Sequence, residues 1–560
     1  SSVSPDRFAS AAEACAIPPT AKAVPATGEK LRGADKVARI PIKVAPTAPE
    51  QRLLRFRRAG GHLLATWAVG ARDEQGRWLG HDFARELLGV TVTGEIDADS
   101  PARFLVPFGD VAVNRTVPAG RRIWLGRLAD RPLRLQGGQP AAAYLDWSRT
   151  VLGRDVPTAI VYDEDPAGRG AAGGRRVVFG FAETAWDFQP ADVEALAADA
   201  LQWLRREPSA HLGAWPNARR AAQVIELDTE EGFGHAAHFV RMLDAIDARG
   251  TLYCLTSEAR RHAEWLRSIA DRHEIAFHGE VHVGFKGLAA DKQRRRLRRM
   301  LAEMASVLGE ADGWPRGAGR GFRAPTEGYD DTTEALLHEM GFLHHAASPD
   351  SSADRLPRFA AHVAPAGAGG RGLVVLPRGQ PDDLNYLQMR LTVPQIGAAL
   401  VAEYDFNLAL GGFSLLSMHS QGFAPPDQLL SRPLHNSTMY RGLELLAAHI
   451  GPRHDQAWLV TAGEVAAWWR ARARAAVQTT LRGADTIEVA LEVQPGPPVA
   501  GLTVLLPRPV GRATAVRQAS AGDDAAAGAV PALRTLDRFM SALVFGALPA
   551  GRHVVRVTWR

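Results

Sequence analysis

Short apolar runs alternate with longer periodic segments through most of the chain, and this alternation predicts several folded parts. Residues 1–50 are rich in Ala, Pro and Lys and predict a poorly ordered or extended segment. In residues 51–215, strand-like runs such as HLLATWAV and RRVVFGF precede helix-like segments such as PADVEALAADALQWLRR, whose apolar residues recur every three or four positions. Strands that alternate with helices are typical of a layered α/β domain.

Residues 216–474 repeat this alternation, whereas residues 475–560 do not. The first of these segments contains AAQVIEL, HAAHFVRMLDAI and TLYCL, which predict strand, helix and strand. The second contains the short runs TIEVALEV, LTVLLP, SALVFG and HVVRVTW, separated by Pro, Gly and Asp. We therefore expect a second α/β domain over 216–474 and a small all-β sandwich over 475–560.

Composition and charge narrow the function classes. The 560 residues are too many for one core, and they are 46% apolar and 23% charged, with a net charge of +5. We expect no transmembrane segment, because no apolar run is long enough to cross a bilayer. The densest basic run, Gln293–Met300, lies in an amphipathic helical pattern without aromatic residues, which favours a solvated helix face and no nucleic-acid partner. Cys15 and Cys254 match no paired or metal-binding cysteine pattern.

Four carboxylates within six positions mark the stretch VIELDTEEGF, Val224–Phe233. Because VIEL predicts a buried strand, Asp228, Thr229 and Glu230 follow at or just beyond its carboxyl end, where α/β sheets and barrels bind ligands. Carboxylates this close together repel one another and lose hydration when they are partly buried. The stretch is therefore compatible with a solvated turn, a bound cation or the acid and base groups of a hydrolase.

Two histidine pairs are candidates for metal binding. His278 and His282 follow the strand signal IAF, and neutral imidazoles at this spacing can meet one zinc-like cation if the segment coils. The His-Glu pair at 273–274 does not form an HExxH zinc-protease helix with His278, because the spacing is one residue too long. His235 and His238 lie three apart in a helical pattern, which is more typical of a helix surface or a packed histidine.

Two further segments carry side chains suited to catalysis. GFRAPTEGY places Arg323 in a turn, where its planar guanidinium either clamps a carboxylate or is simply exposed. FSLLSMHSQGF predicts an apolar strand with His419 at its end. A histidine at that position either serves as a general acid or is a satisfied core residue.

The chain resembles the NodB-homology polysaccharide deacetylases over residues 220–423. The resemblance lies in four motifs that follow one another in the same order: D-x-E, H-x-x-x-H, R-x-P and L-x-x-H. The resemblance implies a distorted (β/α) barrel with a divalent-metal site at the carboxyl ends of its strands. It implies that Asp228 is the catalytic base and that Glu230 is the metal carboxylate. It also implies that His278 and His282 are the two histidine ligands.

The same resemblance implies roles for four more residues. Arg323 would hold the base, Leu416 would line the acetyl pocket and His419 would protonate the leaving amine, with Asp350 orienting that histidine. The chain departs from the family pattern at two places: Thr229 stands where the common form has a second Asp, and RAPT replaces the usual RPPY.

The implied function is that of a metal-dependent N-deacetylase, which removes acetyl groups from the acetamido sugars of a polysaccharide. The expected cofactor is a divalent metal, with zinc the first choice, and Glu226 and Glu231 are expected to be structural. The expected location is periplasmic or extracellular, although the first residues, SSVSPD, carry no visible export signal. The alternatives are a carbohydrate-binding or biofilm scaffold protein with a decayed site, and a hydrolase of a small non-sugar amide.

The alternation in residues 51–215 resembles the flavodoxin-like, glutamine-amidotransferase-like modules that accompany carbohydrate-active proteins. No cysteine lies in this segment to act as a nucleophile. We therefore expect a flavodoxin-like accessory domain with a structural or ligand-positioning role.

Overall fold

The computed structural model describes residues 48–97, 100, 104–126, 130–145, 156–166, 173–230, 232–347, 355–361, 363, 372–423, 438–453, 455–483, 485–508, 510–515 and 530–559. Residues 1–47 of the segment predicted to be poorly ordered lie outside these ranges. Its last three residues, 48–50, form the start of a helix. None of the described helices combines the length and the apolar character that a membrane crossing requires.

The described elements fall into three consecutive groups. The first comprises α1 (Ala48–Arg58), β1 (Leu63–Thr66), α2 (Asp82–Leu88), β2 (Thr91–Glu95), β3 (Phe104–Pro107), β4 (Ile123–Trp124), β5 (Leu133–Gln136), β6 (Gln139–Tyr144), β7 (Thr158–Glu164), β8 (Arg175–Phe179), α3 (Pro190–Leu204) and β9 (His211–Leu212). The second comprises β10 (Ala221–Thr229), α4 (Ala236–Ala245), β11 (Thr251–Cys254), α5 (Thr256–Ala259), α6 (Ala263–Ile269), β12 (Glu274–Phe277), α7 (Ala290–Leu308), β13 (Glu310–Ala311), β14 (Trp314–Pro315), β15 (Ala318–Arg323), α8 (Asp331–Glu339), β16 (His344–Ala347), β17 (Arg358–Phe359), β18 (Val374–Pro377), α9 (Asp383–Gln388), α10 (Val393–Leu410), β19 (Phe413–His419), α11 (Thr438–Ile450), β20 (Ala457–Leu459) and α12 (Ala462–Arg472). The third comprises β21 (Ala475–Leu481), β22 (Thr486–Val493), β23 (Thr503–Leu506), β24 (Val510–Ala515), β25 (Ala532–Thr535), β26 (Ser541–Val544) and β27 (Gly551–Trp559).

The first group forms a mixed sheet whose arrangement differs from the flavodoxin-like expectation. Its main order is β1-β8-β7-β6-β3-β4, with β5 beside β7 and β2 beside β5. Only β1 and β8 pair in parallel, and the other pairs are antiparallel. The connections explain part of this arrangement: the antiparallel neighbours β7 and β8 are separated by ten residues, whereas parallel neighbours need a crossover of about a dozen residues or more.

The second group forms a curled, barrel-like sheet flanked by helices, so the predicted α/β class is confirmed. The strand order is β17-β18-β16-β15-β12-β11-β10-β19, with β20 also beside β10. Every pair in it is parallel except β17 with β18. Parallel strands bring their carboxyl ends to one edge of the sheet, which is where ligands bind in such folds.

The two faces of this sheet are buried against different partners. Side chains such as Ile225 and Leu227 pack against the outer helices in the largest hydrophobic cluster. Their neighbours on the other face, such as Val224, join a second cluster with α12 and the last group of strands. Successive side chains of a strand point to opposite faces, so β10 is buried on both sides, as a central parallel strand should be.

The last group forms two four-stranded antiparallel sheets, β21-β22-β27-β24 and β25-β26-β23-β9. Val489 of the first and Val504 of the second belong to the same hydrophobic cluster. Strand β9, which precedes the barrel in the chain, completes the second sheet by pairing with β23. The strands predicted after residue 475 are present, whereas the sandwich arrangement and the domain boundaries stay predictions.

Candidate active site and metal centre

Strands β10 and β19 place two of the predicted site residues side by side. Asp228 and His419 are direct partners in the register of this parallel pair, at the carboxyl end of each strand. Both are buried, with exposed fractions of 2% and 7%. Glu230 follows β10 directly, so the acidic stretch leaves the sheet at the edge where the other strand ends meet.

Glu230 lies between the two histidines of the H-x-x-x-H motif. Its Oε1 atom is 2.7 Å from His282 Nε2 and 3.2 Å from His278 Nε2. The His278 Nδ1–H donates to the carbonyl oxygen of Arg323 at 3.0 Å, which leaves Nε2 as the nitrogen that faces the carboxylate. Burial opposes ionisation of Glu230, but hydrogen bonds with both histidines hold its pKa well below the usual range.

These three side chains fit a divalent cation. One oxygen of Glu230 and one nitrogen each of His278 and His282 lie within 4.8 Å of one another. Two imidazole nitrogens and one carboxylate oxygen form a donor set that suits zinc and similar ions, and three protein ligands are typical of a catalytic site. Gln421 Nε2 donates to the other oxygen of Glu230 at 3.3 Å, which fixes the carboxylate plane.

Asp228 is held as a carboxylate by Arg323. The guanidinium Nε donates to Asp228 Oδ2 at 2.7 Å, and both side chains are almost fully buried. Burial alone would raise the pKa of Asp228, but the charges of Arg323, His278 and His419 together outweigh it and lower that pKa. The second carboxylate oxygen, Oδ1, accepts no hydrogen bond from any described residue. It is therefore a buried acceptor close to the metal ligands, as a general base requires.

His419 is paired with an aspartate that the motif did not identify. Asp383 accepts a hydrogen bond from His419 Nδ1 at 2.6 Å and a second from the His419 backbone N–H at 2.8 Å. Burial lowers the pKa of His419, but the charge and hydrogen bond of Asp383 outweigh it and raise the pKa to about 10. His419 is thus a proton donor at neutral pH, with Nε2 lying 3.8 Å from Asp228 Oδ2 and 3.9 Å from Glu230 Oε1.

The predicted orienting residue, Asp350, lies outside the described residues. Asp383 could have been found from the segment VVLPRGQPDD, in which two acids follow a buried strand. That strand is β18, and its carboxyl end meets the same edge of the sheet as β10 and β19.

Leu416 does not line the site, which corrects the prediction from the L-x-x-H motif. It belongs to the hydrophobic cluster between the sheet and the outer helices. The reason is the alternation of a strand: Leu416 is three residues before His419 and therefore points to the opposite face. Ser417, two residues before His419, is fully buried on the same face as the histidine.

Glu226 is a fully buried carboxyl group directly behind the base. Its Oε1 atom is 3.5 Å from the same Arg323 Nε that holds Asp228. Burial and the neighbouring charge of Asp228 raise its pKa well above the usual range, despite the arginine. Glu226 therefore holds its proton more tightly than an ordinary carboxyl group does. Glu231 lies outside the described residues.

An open groove of about 650 Å³ borders the metal ligands. Phe233 and the ring of His262 stack in parallel at 4.5 Å along it, and Arg261 pairs with Glu258 beside them. His235 and His238 lie at the start of α4, with ring centres 6.5 Å apart, and they do not belong to the ligand cluster. The groove places an aromatic face and charged groups next to the candidate metal ligands.

Comparison with known proteins gives a family match for part of the second group of elements. Residues 222–344 match the family model of the polysaccharide deacetylases, which confirms the resemblance over these residues. They contain Asp228, the three candidate ligands and Arg323 but not Asp383 or His419. A comparison with curated proteins gave no match.

Three solved structures resemble part of the chain. A Mycobacterium smegmatis protein described as a polysaccharide deacetylase is 24% identical, with a TM-score of 0.37, and the match covers 47% of this chain and 94% of that one. A Pseudomonas aeruginosa PAO1 protein of the same description is 18% identical, with a TM-score of 0.36 and coverage of 46% and 93%. A Puue allantoinase is 19% identical, with a TM-score of 0.36 and coverage of 46% and 92%.

Proposed function

Because residues 222–344 match the family model of the polysaccharide deacetylases, we propose that the protein removes N-acetyl groups from the acetamido sugars of a polysaccharide, with the help of a divalent metal. The observation that carries the proposal is the convergence of a base, an acid and three metal donors at one edge of the sheet. Asp228, His419 and the ligand Glu230 come from two neighbouring strands, and His278 and His282 complete the cluster.

Each side chain has a distinct task in amide hydrolysis. A cation held by Glu230, His278 and His282 would supply Lewis-acid polarisation of the acetyl carbonyl and of water. Asp228 removes a proton from the attacking water through the oxygen that Arg323 does not occupy. The new C–O bond forms as the carbonyl π bond opens.

The second half of the reaction needs a proton donor, because an amine is a poor leaving group. His419 carries its proton at neutral pH and presents Nε2 towards the base and the metal ligands. It donates that proton to the amine nitrogen as the C–N bond breaks, and acetate is released. Asp383 stabilises the charged imidazole before transfer and keeps the ring in place.

Two features argue against the rival of a decayed site. Thr229 is fully buried, and its hydroxyl donates to the Tyr253 carbonyl oxygen at 3.3 Å, so it is not the missing metal ligand. Glu230 supplies the carboxylate instead, one position later. The other rival, a small non-sugar amide as substrate, is disfavoured because the groove beside the ligands is open and wide. Zinc as the ion and a periplasmic or extracellular location stay predictions.

The proposal is tested by measuring acetate release from a panel of acetylated glycans, with acetanilide as the small non-sugar amide control. We expect release from one or more oligomers, loss of release with a chelator and recovery when zinc or another divalent ion is restored. Activity on the non-sugar amide alone would favour the small-amide rival. The proposal would be wrong if the metal-loaded protein released no acetate from any acetamido substrate.

A further inference from the structure

We propose that Glu327 and Arg378 form a positioning bridge, which holds the catalytic base and the catalytic acid in one fixed arrangement. This inference rests on the proposed function and deepens it, because neither residue belongs to the motifs that carry the family resemblance. Neither side chain touches the candidate metal ligands, so both are positioning residues, which act through Arg323 and Asp383.

Glu327 joins the arginine of the base to a second arginine. Its Oε1 atom is 3.4 Å from Arg323 Nη2, and Arg323 Nε in turn donates to Asp228. The same oxygen is 2.8 Å from Arg378 Nη2 and accepts from Arg378 Nε at 3.0 Å. Without this carboxylate, two buried guanidiniums would face each other with no anion between them, which is costly in a low-dielectric interior.

The turn that presents Glu327 has a strained backbone. Thr326 and Glu327 have φ angles of 55° and 52°, so two successive residues other than glycine adopt the left-handed conformation. Such strain persists only where surrounding contacts hold it, and it concentrates at functional sites. This turn also carries the Arg323 carbonyl that accepts from His278. The turn RAPTEG, which departs from the usual RPPY, therefore contacts the base, one metal ligand and the bridge.

Arg378 continues the bridge towards the acid. Its Nη1 donates to the Gln380 carbonyl oxygen at 3.1 Å and lies 3.6 Å from Asp382 Oδ2. Asp382 caps helix α9 through its bond with the Asn385 N–H, and that cap fixes the start of the helix. The next residue, Asp383, accepts both hydrogen bonds of His419.

The contacts form a continuous path from one catalytic group to the other: Asp228, Arg323, Glu327, Arg378, Asp382 and, one peptide bond away, the Asp383–His419 pair. Opposite charges alternate along the path from Asp228 to Asp382. Because His419 must reach the amine while Asp228 reaches the water, their relative position decides the rate, and small displacements cost much activity.

The test uses full-length, metal-loaded protein with the variants Glu327→Gln, Arg378→Gln and the double variant. Each is assayed on an N-acetylglucosamine oligomer and on an aryl acetate ester, whose phenolate leaves without protonation. The matched control is Glu164→Gln, because Glu164 also bridges two arginines, Arg175 and Arg206, with a similar exposure of 24% against 28% for Glu327. The downfield proton signal of His419 Nδ1–H, assigned by its loss in His419→Gln, reports the acid without any substrate.

We expect Glu327→Gln to lower kcat on the amide by about 10–100-fold with little change in KM and in bound metal, as typical for residues that orient ligands and catalytic groups. Arg378→Gln should lower the amide rate more than the ester rate, because it acts on the acid. The double variant should have about the same kcat as the less active of the two single variants, because both substitutions break the same bridge. The His419 signal should move in both single variants but not in Glu164→Gln.

Unchanged amide turnover and an unchanged His419 signal in Glu327→Gln would overturn the bridge. So would losses on amide and ester that are equal and match those of Glu164→Gln, since these would indicate a general effect on folding. If the unsubstituted protein released no acetate from any amide while the His419 signal still moved in the variants, the proposed function would be wrong and the bridge would stand.

Discussion

The curled sheet carries a cluster of carboxylate and histidine side chains at each of its two ends. At the carboxyl end, Glu230 contacts His278 and His282. At the amino end, Glu274 is the first residue of β12 and lies 3.8 Å from His344, the first residue of β16. Both clusters draw on the same residue types, yet their surroundings give them opposite electrostatic properties.

At the amino end, the histidine is neutral at physiological pH and the carboxyl group is only about half ionised near pH 7. Burial raises the pKa of Glu274 to about 7, although its carboxylate accepts from the Gly463 N–H and the Thr251 hydroxyl. Burial lowers the pKa of His344 to about 3. At the carboxyl end, by contrast, Glu230 remains ionised, because hydrogen bonds with His278 and His282 lower its pKa more than burial raises it.

The amino-end cluster is also more tightly packed than the carboxyl-end cluster, which borders a groove. A Cβ at Gly319 or Gly463 would clash with the Glu274 carboxylate, and one at Gly321 would clash with the His344 ring. Gly463 is in the first turn of α12, so Glu274 anchors that helix to the sheet. Residue types alone therefore do not define a metal centre. Convergent donors beside an open groove mark the candidate metal centre, and only the carboxyl end has both among the described residues.

The largest expected effect comes from the base. Asp228→Asn should reduce acetate release by about 10³-fold or more, because the amide cannot accept the proton of water, in line with the 10²–10⁴-fold typical of general bases and the loss of a charge beside the metal. Metal content should remain near that of the unsubstituted protein, measured by elemental analysis. Near-normal turnover in this variant would refute the assigned role of Asp228.

Removing one metal ligand should have the next largest effect. His278→Ala should weaken metal binding by about 100-fold or more, and activity should recover partly at high metal concentration, because one of three protein donors is lost. The matched variant at the other end of the sheet is His344→Ala, which should leave metal affinity unchanged. Equal losses of metal in both variants would contradict the distinction between the two clusters.

Asp383→Asn should reduce deacetylation by about 10–100-fold while leaving metal content intact. The amide cannot stabilise the charged imidazole, so the pKa of His419 should fall from about 10 towards its ordinary value and the acid form should be lost at lower pH. The measurement is the pH dependence of kcat, in which the alkaline limb should move to lower pH. An unmoved limb would show that another group is the acid.

The sequence predicted where most of the candidate site residues lie, because the order of strands is simple. Asp228, Glu230 and His419 were expected at strand ends, and parallel strands bring such ends together, as they do here. His278 was likewise expected directly after a strand and follows β12, whereas Arg323 was expected in a turn and is the last residue of β15. The placement of the other four residues followed from period and position, without knowledge of any side-chain contact.

What the sequence did not identify depends on contacts between distant segments. Asp383 carries no motif, and its role follows only once β18 is known to end beside β19. Glu327 faces Arg378 because of a left-handed turn, which propensity does not favour for Thr and Glu. Leu416 was placed on the wrong face, although strand alternation alone could have corrected it. In the first sheet, alternation of strands and helices suggested parallel pairing, but every pair except β1 with β8 is antiparallel.

The smallest effect is expected at the amino end, where substitution should change stability and not activity. In the folded protein Glu274 has a pKa of about 7, above its ordinary 4.5, so the folded state binds the proton more tightly than the unfolded state. The contribution of Glu274 to stability is therefore fully present below about pH 4.5 and is lost as the pH rises through about 7. A shift of this size corresponds to on the order of 3 kcal/mol.

Glu274→Gln keeps a side-chain oxygen that can accept from Gly463 but removes the titration. The difference in unfolding free energy between the two proteins should therefore change in favour of the variant between about pH 4.5 and 7, and then level off. Urea unfolding at several pH values measures this difference, and acetate release at neutral pH should be nearly the same in both.

Parallel stability curves would mean that Glu274 is not protonated in the folded state, and the amino-end cluster would then be ionised like the carboxyl-end one. A loss of activity as large as that of Asp228→Asn would show instead that the two ends of the sheet are coupled.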